Sequence, residues 1–112
     1  MSHISIVRTQ IVELDSLLKA LDDLGYKYET GQLTLKGYGS QKVAVEILIR
    51  RPLSADIGFR QNGQTYEIVA DWFGVLGIKR EAFTQQVLQR YAYHTTRARL
   101  ERTLTAELKS LW

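Results

Sequence analysis

The chain has 112 residues, of which 45% are hydrophobic and 24% charged, a balance typical of one soluble domain with a single core. It contains no cysteine, which excludes disulfides, thiolate metal sites, iron–sulfur clusters and cysteine nucleophiles. No apolar run reaches the roughly 18 residues of a membrane span, and the first residues lack the layout of a secretory signal. We therefore expect a cytoplasmic protein that is not exported and has no membrane partner.

The net charge of +3 is distributed unevenly along the chain. Residues 79–112 carry seven Lys or Arg and three acids, whereas residues 1–78 carry eight Lys or Arg and nine acids. A basic segment on a neutral body is typical either of a solvated helix face or of a surface that attracts phosphates or an acidic protein. Charge alone leaves both interpretations open.

A strand and a helix open the chain. Residues 2–11 are rich in β-branched side chains that alternate loosely, which favours a strand with one half-buried face. A helix follows, because leucines recur at helical spacing until Gly25, a residue type that commonly ends helices in the left-handed conformation. The leucines of this stripe are Leu14, Leu17, Leu18, Leu21 and Leu24.

Between Tyr26 and Trp72 the apolar residues alternate with a period of two, which predicts four strands. The Gly-rich loop at residues 37–40 indicates a hairpin turn, since it lacks the glycine and lysine pattern of a phosphate cradle. Asn62-Gly63 predicts another hairpin with a type I′ turn, in which both central residues need positive φ. These strands are expected to form an antiparallel meander.

A second helix is predicted to begin near Lys79 or Arg80. Its apolar stripe consists of Phe83, Val87, Tyr91, His94 and Ala98. Beyond this stripe the leucines lie on a different face, so the helix either bends near residues 95–96 or gives way to a separate segment that packs elsewhere. The order β-α-β-β-β-β-α predicts a single α+β domain, residues 1–112, with an antiparallel sheet of about five strands and both helices on one face. The C-terminal helix is long, and residues 96–112 are a candidate protruding tail.

Several segments together resemble a known family. They are Met1-Ser2-His3, Leu24-Gly25-Tyr26, Asp56-Ile57-Gly58-Phe59, residues 66–75 and Arg90-Tyr91-Ala92-Tyr93-His94. Over residues 1–96 the chain resembles the hypothetical chloroplast reading frame thirty-five family, whose members are small proteins encoded in cyanobacteria and in algal plastid genomes. The resemblance implies a setting, the cyanobacterial cytoplasm or the plastid stroma, and no established biochemical activity. Residues 97–112 depart from the family, whose members usually continue into a β-rich tail.

The two histidines are candidates for a polar cluster or a metal site. His94 lies on the second helix with Tyr91, and both could approach His3 of the first strand and Asp71 at a strand end. Two histidines and one carboxylate suit iron or zinc, but none of these residues stands at a motif spacing. The competing interpretation is a buried His94 that forms a hydrogen bond near Asp71 or Tyr66. We predict no metal and no cofactor.

The sequence contains no recognisable catalytic constellation. It has no Gly-x-Ser-x-Gly nucleophile elbow. The only clustered candidates for general acid–base chemistry near the aromatic residues are Glu67, Asp71 and His94. Asp22 and Asp23 end the first helix and are expected to face water. We therefore predict that the protein is not an enzyme.

Binding of single-stranded nucleic acid is the alternative function. It would use an exposed sheet face, where bases stack on aromatic residues and basic side chains follow the phosphates. The arginines that would contribute are Arg90, Arg97, Arg99 and Arg102. Against this function, no ribonucleoprotein consensus is present, and the aromatic residues alternate as core residues do.

Surplus apolar residues favour protein contacts instead. One set occupies a glycine-bracketed loop that either folds onto the sheet as a plug or stays exposed: Trp72, Phe73, Val75 and Leu76. A second set ends the chain on a stripe that does not continue the core stripe: Leu104, Leu108, Leu111 and Trp112. Exposed apolar patches of this kind often mark partner surfaces. We predict a non-catalytic accessory or adaptor protein that binds another protein or itself through these residues.

Overall fold

The computed structural model describes residues 3–37 and 39–111 of the chain, which form five strands and two helices. In chain order these are β1 (Ser5–Arg8), α1 (Leu14–Asp23), β2 (Glu29–Lys36), β3 (Lys42–Ile49), β4 (Ile57–Asn62), β5 (Thr65–Ala70) and α2 (Arg80–Ser110). The order and the α+β class predicted from the sequence are confirmed. Neither helix of the described chain combines the length and the hydropathy that crossing a bilayer requires.

The sheet is antiparallel throughout, with the spatial order β1-β5-β4-β3-β2. Strands β2 to β5 form the predicted meander, and β1 pairs with β5 from Ser5 opposite Ala70 to Arg8 opposite Glu67. Because β1 and β2 lie at opposite edges, α1 connects one edge to the other and packs with α2 on one face. The fully buried side chains at this interface include Leu17, Leu21, Phe59, Ile68, Phe83 and Val87.

The face of the sheet opposite the helices is also largely covered, by the β2–β3 hairpin. Leu48 and Val69 are completely buried there beneath Leu35 and Val45. Gly58 permits this close approach, because a Cβ at that position would lie only 2.9 Å from Val45 Cγ1. The sequence contained a signal for this second layer: the run Ile47-Leu48-Ile49 is apolar on both sides of the strand, as is typical of strands buried on both faces.

Both ends of α1 are fixed by contacts from neighbouring segments. At its start, the backbone N–H groups of Val12 and Glu13 donate to the Tyr91 hydroxyl of α2 at 2.9 and 3.0 Å. At its end, Gly25 adopts a φ of 81° and the Tyr26 N–H donates to the Leu21 carbonyl at 3.0 Å. The predicted glycine stop of this helix is therefore confirmed as a left-handed C-terminal cap.

The hairpin between β4 and β5 turns one residue later than predicted. Asn62 pairs with Thr65, so the two central residues are Gly63 and Gln64. Gly63 has a φ of 67°, whereas Asn62 and Gln64 do not have positive φ. Positive φ at the first central residue alone is the pattern of a type II′ turn, so the type I′ prediction is wrong.

The second helix is continuous for 31 residues. The apolar residues change face within it, and those after Ala98 do not form a separate segment. Only Phe83, Val87 and Thr95 of α2 are buried. At the typical rise of 1.5 Å per residue, this helix spans roughly 46 Å, which accounts for much of the longest molecular dimension of 62 Å.

Candidate functional site

The C-terminal part of α2 leaves the packed body of the domain. Every residue from Arg99 to Leu111 is exposed. Four leucines of this projecting half, which we define as residues 99–111, are exposed by half or more: Leu100, Leu104, Leu108 and Leu111. Their spacing of four, four and three residues places them on one side of the helix, and we call this set the leucine stripe. Trp112, predicted to extend the stripe, lies outside the described residues.

The predicted loop set is divided between the core and the surface. Trp72 packs on Phe83 with ring centroids 5.8 Å apart, and Val75 is buried. Phe73 and Leu76 of the same loop are 80% and 58% exposed. Each of the two interpretations therefore describes part of the loop: Trp72 and Val75 fold onto the core, whereas Phe73 and Leu76 form an exposed apolar surface.

Backbone contacts fix the position of this loop. The Ala55 N–H donates to the Gly74 carbonyl and the Leu76 N–H donates to the Ser54 hydroxyl, each at 2.9 Å. A Cβ at Gly74 would lie 3.2 Å from that of Ala55, which leaves little room for a larger residue. The exposed Phe73 and Leu76 side chains thus stand on a fixed backbone.

The structure does not join His3, Asp71, Tyr91 and His94 into one polar cluster. His3 is exposed, the Tyr91 hydroxyl accepts from the start of α1, and His94 contacts Asp23. Asp71 is buried, and its Oδ1 has no hydrogen-bond partner in the described chain. Among residues 3–37 and 39–111, no three His, Cys, Asp or Glu side chains are arranged to hold a metal ion.

A clamp between the two helices involves a residue that sequence reasoning assigned to solvent. Asp23 Oδ2 lies 2.5 Å from Nη2 of Arg90 and 2.6 Å from Nε2 of His94. Hydrogen bonds from Arg90 and then His94 lower the pKa of Asp23 below its usual value. Asp23 is exposed, as expected, but it also pairs with both α2 side chains. The placement of His94 beside Asp71 or Tyr66 is wrong, because its Nε2 contacts Asp23 instead. We call this set the Asp23 clamp; it ties the end of α1 to the middle of α2.

Glu67, a candidate for acid–base chemistry, is held as a structural carboxylate. It is 3% exposed and accepts hydrogen bonds from Arg60 at 2.7 and 3.1 Å and from Asn62 at 3.3 Å. These bonds, Arg60 first, lower the pKa of Glu67 below its ordinary value. A carboxylate that remains ionised at neutral pH does not act as a general acid there.

Most of the arginines predicted to contact nucleic acid have partners within the chain. Arg90 belongs to the Asp23 clamp, Arg97 pairs with Glu101 at 3.6 Å, and Arg102 lies 3.8 Å from Glu13. The open sheet face that this alternative requires is largely covered by the helices on one side and the β2–β3 hairpin on the other. Arg99 is exposed on the projecting half.

Comparisons with known proteins identify relatives without an assigned activity. A family profile described as "Protein of unknown function (DUF1257)" matches residues 20–105. The chain is also similar to proteins named "Uncharacterized protein ycf35". That of Cyanophora paradoxa is 38% identical over 96 residues, which is 83% of this chain and 73% of the relative. That of Guillardia theta is 37% identical over 98 residues, which is 85% of this chain and 75% of the relative.

A third relative of the same name, from Pyropia yezoensis, is 33% identical over 98 residues, again 85% of this chain and 75% of the relative. No solved structure matches the chain. The resemblance seen in the sequence motifs is confirmed. The family match also extends to residue 105, into the segment that was expected to depart from the family.

Proposed function

The chain belongs to the family of proteins of unknown function designated DUF1257, and from its geometry we propose that it is a non-catalytic interaction module that binds another protein chain, or a second copy of itself, through the leucine stripe. The observation that carries this proposal is the exposure of four leucines along one side of a helix that has left its own domain. Phe73 and Leu76 of the fixed loop are proposed as a secondary contact.

The energetics of the projecting half support this role. A helical segment of about a dozen residues is only marginally stable in water without packing, so covering its apolar side stabilises it. Burying a leucine side chain contributes about 1.5–3 kcal/mol relative to leaving it exposed. Covering the exposed part of four such residues on one side of a helix therefore contributes favourable free energy that opposes the entropic cost of association.

The setting that we propose is the cyanobacterial cytoplasm or the plastid stroma, and the relatives named ycf35 support it. Nucleic-acid binding remains the alternative. Its distinguishing result would be a complex that weakens steeply with salt and with Arg97→Ala and Arg99→Ala. The intrachain partners of Arg90, Arg97 and Arg102 make this alternative the weaker one.

Paired substitutions in the full chain test the proposal. Leu104→Gln with Leu108→Gln removes the centre of the leucine stripe, whereas Ala106→Gln adds the same amide on the opposite side of the same segment as a control. Each protein is studied alone by analytical ultracentrifugation and as bait in extracts of its source organism. We expect self-association or a captured protein that is lost in the double variant and kept in the control. A monomer whose captured proteins do not depend on the leucines would refute the proposal.

A further inference from the structure

A groove unrelated to the leucine stripe lies between the edge strand β1 and the first half of α2. Its volume is about 960 Å³, near the upper end of the roughly 300–1,000 Å³ of ligand clefts. The strand contributes Ile6, Val7 and Arg8 to its wall. The helix contributes Arg80, Glu81, Thr84, Gln85, Leu88, Gln89 and Ala92. The groove is thus bounded on one side by a backbone edge and on the other by side chains.

Strand geometry shows which backbone groups face the groove. The turn at Gly63 and Gln64 makes Thr65, Glu67 and Val69 the residues whose backbone groups bond to β4. The intervening residues of β5 therefore face β1, and the Tyr66 N–H does so by donating to the Ile11 carbonyl at 2.8 Å.

Ile68 and Ala70 follow the same alternation and bond to their partners Val7 and Ser5. Ile6 and Arg8 accordingly direct their N–H and C=O groups away from the sheet. The Ile4 N–H confirms this direction, because it donates to the Gln41 side chain outside the β1–β5 ladder at 3.2 Å. The β2–β3 hairpin thus occupies one end of the edge and leaves Ile6 and Arg8 available.

The chemistry of the walls selects an occupant. Side chains alternate along β1, so Ile6 and Arg8 lie on the sheet face of Val69, opposite α2, whereas Leu88 lies on the helix side. Ile6 and Leu88 are 44% and 37% exposed and offer apolar contact to the two faces of an added strand.

The positive charge of Arg80 is compensated by Glu81, 3.0 Å away. The Arg8 side chain is 90% exposed and lies 3.9 Å from Glu67. Because Arg60 binds Glu67 more closely, that carboxylate does not compensate both arginines. The β1 edge therefore carries an uncompensated positive charge on the sheet face opposite α2. A second copy of this chain would bring its own Arg8 to the same edge, which like-charge repulsion disfavours.

We propose that this groove binds an extended acidic peptide segment of another protein, which adds to the sheet as a strand beside β1. The peptide backbone pairs with Ile6 and Arg8, alternate apolar side chains contact Leu88, and a carboxylate pairs with Arg8. Strand addition at a sheet edge is a recurring mode of peptide recognition, in which backbone hydrogen bonds provide affinity and side-chain pockets provide specificity. The site is independent of the leucine stripe, so either proposal can fail without the other.

Selection from a phage-displayed library of random dodecapeptides against the full chain tests this site. We expect enriched sequences with acidic residues whose affinity falls about tenfold or more in Leu88→Glu. The matched control is Leu53→Glu, at an exposed leucine outside both the groove and the leucine stripe. Arg8→Gln is expected to weaken binding of the acidic peptides several-fold, and Arg99→Gln to leave it unchanged.

Two further measurements identify the binding mode without any variant. N-methylation of the peptide at every second residue is expected to abolish binding, and N-methylation at the intervening residues to preserve it. Amide exchange at Ile6 and Arg8 is expected to slow on binding. The proposal is overturned if no peptide is enriched, if binding survives Leu88→Glu, or if N-methylation shows no alternation. Concentration-dependent protection of Ile6 and Arg8 without peptide would also overturn it, in favour of pairing between two copies.

Discussion

The two halves of α2 share one continuous backbone and have opposite surroundings. In the first half, residues 80–98, Phe83 and Val87 are buried against the sheet and the Asp23 clamp holds the helix to α1. In the projecting half, residues 99–111, every side chain is exposed. The apolar residues change face where the helix leaves the domain. Helical periodicity therefore predicts which side chains form the apolar face of α2. The position where that face changes is also the position after which the rest of the chain no longer packs on the helix.

Truncating a core side chain in the first half should produce the largest difference between the halves. Phe83 is fully buried and contacts Tyr26, Phe59 and Trp72. Phe83→Ala should lower the free energy of unfolding by about 3–5 kcal/mol, whereas Leu104→Ala should change it by no more than about 0.5 kcal/mol. Urea unfolding followed by circular dichroism measures both.

If Phe83→Ala does not fold, Phe83→Leu provides the comparison, with an expected loss on the order of 1 kcal/mol. Equal losses for Phe83→Leu and Leu104→Ala would show that the two halves are not distinct.

Acid should lower the free energy of unfolding through Glu67, a buried carboxylate that has no counterpart in the projecting half. Because Arg60 and Asn62 lower the pKa of Glu67 in the folded state, the unfolded state binds more protons as the pH falls through the ordinary value of 4.5. The stability that Glu67 contributes is therefore present above that pH and lost as the pH falls through the folded-state pKa. Glu67→Gln should cost roughly 1–3 kcal/mol at pH 7 and flatten the acid dependence.

Denaturant titrations of both proteins between pH 7 and pH 3 measure this effect. Glu107→Gln, an exposed acid of the projecting half, is the control and should match the unmodified chain. Parallel acid dependences for Glu67→Gln and the unmodified chain would contradict the assignment.

Breaking the Asp23 clamp should produce a smaller effect, located at the boundary between the halves. Asp23→Asn removes the negative charge that Arg90 and His94 share, and partly exposed ion pairs contribute modestly to stability. We expect faster amide exchange over residues 90–98 with little change near Phe83, measured by hydrogen–deuterium exchange. Uniform acceleration along the whole helix, or none at residues 90–98, would contradict a local clamp.

Local patterns predicted much of this fold because their causes lie within short segments. The leucine spacing of α1 and its stop at Gly25 are examples, as is the alternation of β2 to β5. The Asp23 clamp could not be predicted in this way, since Asp23 and Arg90 are 67 positions apart and meet only once both helices pack on the sheet. The same holds for the β2–β3 hairpin over Gly58, whose path depends on contacts between distant strands. The Asn-Gly signal predicted the position of the β4–β5 turn along the chain, but it did not predict which two residues are central in that turn.

The candidate contact surfaces also differ in whether they follow from local sequence spacing or from contacts between distant residues. The leucine stripe follows from helical spacing alone, so the sequence was sufficient to predict it. The division of the loop into a partly buried Trp72 and an exposed Phe73 depends on where Phe83 packs, and the sequence left it open. The groove beside β1 was missed because no pattern in Ser5–Arg8 shows which strand becomes the edge of the sheet.

Site-specific photo-cross-linking in the source organism tests the central claim most directly. A benzoylphenylalanine residue replaces Leu104 in one full-length chain and Ala106, on the opposite side of the same helix, in another. The leucine stripe as a contact surface predicts a discrete cross-linked adduct, either with another protein or with a second copy, from position 104 and a much weaker one from position 106. Equal adducts from both positions, or none from position 104, would contradict it.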